Sequence, residues 1–371
     1  MKWIRCFLCV LCILVGCSKV FAAIPSTDAF FYSIHGWNLT HPVREYERFA
    51  PGQYVQIADN LIAYQNDDGG WPKNIDWLAN VQPGDVVKSI YFKKLRSTVD
   101  NWNTYTQIEY LAQVYVLTAR SCYKDAALRG LQYLLNTQDS HGAWWGSDFQ
   151  GPTLNDNATT GVLRLFLKIV QGDENFNWLS QEWQEKIALS LTRGIDFLLK
   201  SQIVQSGVKT AWAQQYTMDD LQPAKGRKYE LPAISVWESC NVLELLMEIH
   251  EPSPQVINAV GSAILWLKSV QINGLRLEQV KLKEKVGTEY PYDLVIINDD
   301  SARPIWARYY ELVDNTPFMC TKQGKKVYSL SELDYDRRVG YTWYGYWPEK
   351  IFEKYDGWSM QYMTTNINYN K

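Results

Sequence analysis

Cysteine is scarce once the first residues are set aside. Beyond residue 22 the chain keeps only Cys122, Cys240 and Cys320, odd in number, widely spaced and without a CxxC pair. That argues against a disulfide framework or a cysteine-built zinc site. A basic tract is missing too. Without residues 1–22 the chain has 34 basic against 40 acidic residues, about −6, which speaks against nucleic acid as a partner. No Gly/Ser/Pro-rich linker breaks the sequence, so a single domain is expected over residues 24–360, followed by a polar tail, 361–371. Nor is there a long apolar run at the start. Lys2 and Arg5 precede an apolar core, residues 7–15, that is too short to span a bilayer and reads as an export leader. Leu14-Val15-Gly16-Cys17 has the form of a bacterial lipobox and would leave Cys17 lipidated. Val20-Phe21-Ala22 offers instead an ordinary small-residue cut and a soluble product. The expected location is therefore secreted, periplasmic or anchored to the outer membrane of a bacterium.

What the chain does have is a repeat. Residues 129–145 read RGLQYLLNTQDSHGAWW: an apolar helical end, a glutamine, then a glycine–tryptophan turn. Variants recur as DNLIAYQNDDGGW (59–71), RGIDFLLKSQIVQSG (193–207) and AILWLKSVQING (263–274). Their glutamines, Gln65, Gln138, Gln202 and Gln271, are spaced by 73, 64 and 69 residues. Each interval has room for two helices and their loops, the mark of a repeat architecture whose core is shared between neighbours.

Three apolar helices lie between these turns, and their starts are polar. Residues 97–118 read STVDNWNTYTQIEYLAQVYVLT, with Thr98 or Asp100 as a plausible N-cap and Ile108, Leu111, Ala112 and Tyr115 at helical spacing. Residues 153–170 open on Asn155-Asp156, and residues 235–249 carry Glu238-Ser239 at the same place. Successive helices of an α/α arrangement alternate in direction. The three polar starts should therefore gather at one end, together with the Gly-Trp turns that follow the opposite helices. First-turn acids are commonly no more than caps; matching Asx pairs at two corresponding starts point further, to a site. Sixteen Trp and 24 Tyr, many beside Gly, Asn or Asp as in Gly70-Trp71 and Asn101-Trp102, suit either sugar platforms or the filling of gaps between helices. After Asn273 the helical rhythm fades. Residues 290–297, 306–312 and 325–328 read as short strands of a small antiparallel region over the cleft end.

The segments GGWPKNID (69–76), TVDNWNTYTQIEYLAQVY (98–115), RGLQYLLNTQ (129–138), LND (154–156), AWAQQY (211–216), QPAKGRKYELPAISVWES (222–239), RPIWARYYEL (303–312) and DRRVGYTWYG (336–345) occur in an order and spacing that resemble the pectate lyases of polysaccharide lyase family 10. The resemblance runs from about residue 59 to 358. It implies a mainly α fold, an (α/α)3 toroid with a small antiparallel β region near the C-terminus, calcium, and eliminative cleavage of polygalacturonate by a chain expected to be monomeric. It also implies roles. Asp100 and Asp156 would be calcium ligands, hard oxygen donors suited to that ion. Arg227 would hold a substrate carboxylate, with Lys73, Asn74, Asn101, Tyr229, Glu230, Arg338 and Tyr341 as further substrate contacts. Arg308, in WARYYEL, would be the base, unless it serves only as an ion-pair partner of Glu311 or another acid; Arg337 and Arg338 are the fallback.

Some family positions differ. The segment just before residue 154, FQGPT (149–153), has neither the His nor the second Asp common in the family; QHD reads Gln215-Tyr216-Thr217, and TNRP reads Asp314-Asn315-Thr316-Pro317. Lost acids would weaken a calcium site, and a lost Arg one uronate subsite. Two alternatives therefore stay open at this level: a glycoside hydrolase built on a carboxylate pair, and a surface lipoprotein that binds acidic glycans without cleaving them.

Overall fold

The computed structural model describes residues 23–44, 46–80, 95–282 and 291–363. The leader with Cys17, Tyr290 at the start of one predicted strand, and residues 364–371 of the tail lie outside them. Among the described residues the helices are α1 (Phe31–Thr40), α2 (Tyr54–Tyr64), α3 (Tyr105–Thr118), α4 (Ser121–Thr137), α5 (Ala158–Val170), α6 (Gln181–Ser201), α7 (Val236–Met247), α8 (Pro254–Ser269), α9 (Tyr335–Val339) and α10 (Trp347–Tyr362). Helix α5 neighbours both α3 and α7, and α2, α4, α6, α8 and α10 pack around these three. The composition of each layer explains its place. Most of α5 is buried, as an inner helix requires, whereas α4 and α6 bury one stripe, Ala126, Leu131 and Leu134 or Ile187, Phe197 and Leu198. The fold is the expected (α/α)3 toroid.

The repeated turns explain how the layers are tied. Gln65 donates from Nε2 to the carbonyls of Gly69 (2.8 Å) and Ala126 (2.8 Å). Gln138 does the same to Gly142 (2.9 Å) and Ser190 (2.8 Å), and Gln202 to Thr210 (3.0 Å) and Ala259 (2.9 Å). Each amide thus closes its own turn and reaches the next outer helix. The indoles are as regular. Trp71, Trp144, Trp212 and Trp306 donate from Nε1 to the carbonyls of Leu61, Leu134, Leu198 and Leu267, at 2.7 to 2.8 Å. All four are buried. The backbone N–H of the first three donates to Thr104, Thr159 and Ser239 at the inner helix starts. Gly69 and Gly142 are required: both have positive φ, and a Cβ on either would sit 2.3 Å from the carbonyl oxygen of Arg129 or Arg193.

The fourth turn departs from the pattern. Gln271 is exposed, and a hairpin of β4 (Leu275–Lys281) and β5 (Tyr292–Asn298) intervenes before Trp306. Strand β5 was legible in the sequence; β4, with charged residues along one edge, was not. The remaining strands are short: β1 (Val204–Gln205), β2 (Val208–Lys209), β3 (Ile234–Ser235), β6 (Trp306–Ala307), β7 (Tyr309–Tyr310), β8 (Pro317–Cys320), β9 (Lys326–Val327) and β10 (Tyr344–Gly345). They form a sheet ordered β3-β7-β8-β9 and the pairs β1-β2 and β6-β10, all antiparallel. The predicted strand over 306–312 is therefore interrupted at Arg308. Cys122, Cys240 and Cys320 are all unpaired. No helix among the described residues is long and apolar enough to cross a membrane.

Candidate active site

The inner helix starts differ from the expected caps. Helix α3 begins at Tyr105, not near Thr98, because Asn101, Trp102 and Thr104 have φ of 52°, 62° and 66°, which no α-helix accommodates. Asp100 lies in a 3-10 turn before them. The second start repeats the shape: Asp156 and Asn157 have φ of 51° and 59°, and α5 opens at Ala158. Asn and Asp tolerate the left-handed region better than other side-chain-bearing residues. The two turns touch, and the second also meets the start of α7. Neither aspartate caps a helix; both are brought to one end of the toroid.

At that end a cavity of about 220 Å3 is lined by Tyr32, Asn101, Trp102, Asp156, Asn157, Trp237, Arg308, Tyr341 and Thr342. Arg308 comes there through the sheet. Ser235 pairs with Tyr309, the N–H of Val236 donates to the Arg308 carbonyl (3.0 Å), and the N–H of Arg308 donates to the Trp343 carbonyl (2.7 Å). Its guanidinium is nearly buried and donates to Glu238 Oε1 at 3.0 Å. Tyr341 lies under it, 4.8 Å from the ring centre. Glu238 belongs to a larger network. Gln214 Nε2 donates to Glu238 (3.1 Å) and to Asn155 (3.0 Å), while Tyr309 donates to Gln214 Oε1 (2.8 Å) and shares a 2.5 Å hydrogen bond with the Tyr341 hydroxyl. Glu311, the expected partner in sequence, pairs instead with Lys326 at 2.7 Å.

The charges are unevenly satisfied. Burial pushes the Asp100 carboxyl up, but the Lys73 ammonium at 2.7 Å and the hydrogen bonds of Ser147 outweigh it and hold Asp100 below the usual carboxylate range. Asp156 is the reverse. It accepts from Asn155 Nδ2 (2.9 Å) and pairs with no cation among the described residues. Burial first, then the charge of Asp100, pushes it up to about 7, against the more distant pull of Arg227 and Arg308. Burial opposes the charge on Arg308, yet Tyr341, Glu238, Tyr309 and Asp156 together hold it above its ordinary value.

Of the residues singled out in sequence, Asn101, Asp156, Arg308 and Tyr341 share this cavity. Asp100 stands beside it, covered by Lys73. Arg227 feels the charge of Asp156 but is held by Glu230 through Nε (2.8 Å) and Nη2. Glu230 is thus a buried anchor for Arg227, and Tyr229 lies 5.4 Å beneath the same guanidinium. Lys73 and Asn74 line a separate groove. Arg338 is not brought in: it grips Asp293 of β5 with two 2.7 Å hydrogen bonds and lines a neighbouring cavity under the hairpin. Arg337 is buried among Tyr229, Tyr341 and Trp343. Sequence reasoning missed Tyr32, Trp237, Asn157 and Ser147. Asn157 and Trp237 adjoin residues already flagged, whereas Tyr32 lies in a segment that carried no signal.

The model of the pectic acid lyase family matches residues 65–352. A family 10 polysaccharide lyase from Cellvibrio cellulosa is 26% identical over 91% of this chain and 99% of its own, with a TM-score of 0.69. An aspartate-to-alanine mutant of a family 10 polysaccharide lyase from that organism, in complex with trigalacturonic acid, is 28% identical over 81% and 91%, with a TM-score of 0.68. No curated protein matches. With the toroid, the acidic turns and the facing arginines in place, these matches establish that the chain belongs to the pectic acid lyase family and is a pectate lyase.

Proposed function

We propose that the cavity beside Asp156 cleaves α-1,4-linked polygalacturonate by β-elimination assisted by calcium, with Arg308 as the base. One observation carries the reading: a guanidinium and a carboxylate without a cationic partner line the same small cavity at the cleft end. In the reaction the C5–H bond breaks, its electrons form the C4–C5 double bond, and the C4–O bond breaks, the leaving oxygen taking up a proton. Arg308 would accept the C5 proton, which requires that its guanidinium be deprotonated before the transfer; Glu238, hydrogen-bonded to Nη2, holds it in place. Arg227 would hold a neighbouring uronate carboxylate, with Tyr229 beneath and Glu230 behind, while Asn101 and Tyr341 line the floor. Lys73 and Asn74 continue the path of the chain; Arg338 would contribute only at its edge.

The donor set suits a hard cation. Asp100 and Asp156 offer oxygen only, and the raised Asp156 carboxyl beside Asp100 is the electrostatic signature of a missing positive charge. Among the described residues no three His, Cys, Asp or Glu side chains converge, so substrate oxygens and water would complete the shell, and Lys73 would yield part of its hold on Asp100. Bound there, calcium would neutralise the uronate carboxylate and so acidify the proton α to it. A carboxyl raised to about 7 beside one held low also resembles the pair of a glycosidase; hydrolysis, however, yields no unsaturated product.

The test is ultraviolet absorbance of the 4,5-unsaturated uronate from polygalacturonate with calcium. We expect a rise that chelator abolishes and Arg308→Ala removes while glycan binding persists. If Arg227→Ala removes turnover and Arg308→Ala only weakens binding, the two arginines exchange roles. New reducing ends without absorbance would refute elimination. We further read residues 1–22 as an export leader; the mass of the mature N-terminal peptide tells a lipidated Cys17 from a cut after Ala22.

A further inference from the structure

Beside the catalytic cavity lies a groove of about 710 Å3, of which only the Lys73 and Asn74 edge has so far been given a role. Its wall includes Lys73, Arg96, Tyr133, Trp145 and Ser147. Trp145 invites the question because the fold does not need it. In every repeated turn the first indole is buried and bonded to a helix carbonyl, and the next residue is Pro72, Trp145, Ala213 or Ala307. Only the second turn places another tryptophan there, and it is 40% exposed. The ring is nevertheless fixed: Trp145 Nε1 donates to Asp139 Oδ2 at 2.9 Å. Asp139 is held in turn, its Oδ1 accepting from the N–H of His141 (2.9 Å) and of Ala143 (3.0 Å). An exposed, immobilised aromatic face suits the C–H surface of a pyranose better than it suits water.

Charge narrows the occupant. Arg96 is exposed, lines the groove and makes no ion pair or hydrogen bond among the described residues. Asp139 is already committed to its own turn and Trp145, and Asp148 lies 3.6 Å from Lys73. Lys73 is matched by Asp100 and Asp148, so Arg96 is the cation of the groove wall left without a carboxylate among the described residues, and it suits a carboxylated sugar. The groove also adjoins the catalytic end. Lys73 and Ser147 line it, and both bond to Asp100, whose neighbour Asn101 lines the catalytic cavity.

We propose that this groove is a distal subsite for the same polysaccharide chain, binding a uronate remote from the scissile bond with its ring on Trp145 and its carboxylate on Arg96. The inference rests on the lyase reading and adds a length preference to it. It is tested with oligogalacturonates from the trimer to the octamer, by initial elimination rates and by calorimetry of the octamer on an inactive Arg308→Ala background. Trp145→Ala should lower kcat/KM for the octamer about tenfold, chiefly through KM, leaving the trimer unchanged, and weaken octamer binding by a similar factor. Arg96→Gln should do the same by several-fold and flatten the salt dependence of octamer binding. The unchanged trimer rate certifies the fold. Equal losses on trimer and octamer, or no loss on either, would overturn the distal subsite. A loss with Trp145→Ala alone would overturn the uronate as its occupant. Should no length be eliminated at all, the lyase reading fails by itself, and the calorimetric comparison still decides whether the groove binds uronates.

Discussion

The Asp100 and Asp156 corners have nearly the same backbone and opposite electrostatics. Each is a three-residue turn with left-handed Asx residues in front of an inner helix. At the first, Lys73 and Ser147 satisfy the carboxylate; at the second, only the Asn155 amide does. The turn is a local matter that Asx residues can specify. The charge state is decided from across the cleft, by which side chain the neighbouring repeat presents. One corner is consequently a stable ion pair, and the other a carboxylate waiting for a positive partner.

The comparison breaks most visibly at Asp156. Asp156→Asn should cut kcat/KM by about 1000-fold, the scale of losing a preorganised electrostatic group. Without metal the same change should make the protein more stable above pH 7, by about 1 kcal/mol after discounting for water in the cavity. Denaturant titrations beside kinetics would show it, and a variant both active and no more stable would remove Asp156 from the site. Asp100→Asn should act in the opposite sense, destabilising the fold by about 2 kcal/mol because Lys73 loses its carboxylate, less than a fully buried pair would cost.

The pH dependence separates the two corners more finely. With its folded pKa raised, Asp156 contributes stability below the ordinary carboxylate range that is lost as pH climbs to about 7. Asp100, whose folded pKa is lowered, contributes stability above that range that is lost as pH falls through its folded pKa. Unfolding free energies of the metal-free protein between pH 3 and pH 8 should thus fall with pH through Asp156 and rise through Asp100, and each Asn variant should erase one slope. The smallest effect belongs to Ser147→Ala, about 1 kcal/mol, since the Ser147 backbone N–H still serves Asp100. A larger loss would mean that Lys73 depends on the hydroxyl for its position.

Much of this was legible because it is periodic. Glutamine, glycine and tryptophan return at fixed places, and the structure shows why: each type answers a recurring demand of the turn for an amide, a positive φ or an indole N–H. The acidic pair was legible for the same reason. The start of α3 was not, since STVDNW looks like a capped helix until the φ values of Asn101 and Thr104 are known. Nor was the partner of Arg308. Glu311 is near in sequence, but pairing of β3 with β7 brings Glu238 from 70 residues away. Tyr32 was invisible for a related reason, because only folding of α1 against the Asp100 turn gives it a place at the cavity.

The exposed Gln271 has a consequence for motion. Three joints of the outer layer are cross-braced by an amide reaching the next helix, and the aspartate turns stand on braced joints. The joint between α8 and α10 has no such brace among the described residues, and Arg308 follows two residues after the indole of that turn. The arginine wall therefore follows the joint that lacks this amide brace among the described residues. If that joint opens first, the cleft would widen there while the two carboxylates keep their spacing, and amide hydrogen exchange should find β6 and α10 opening before α3 and α5.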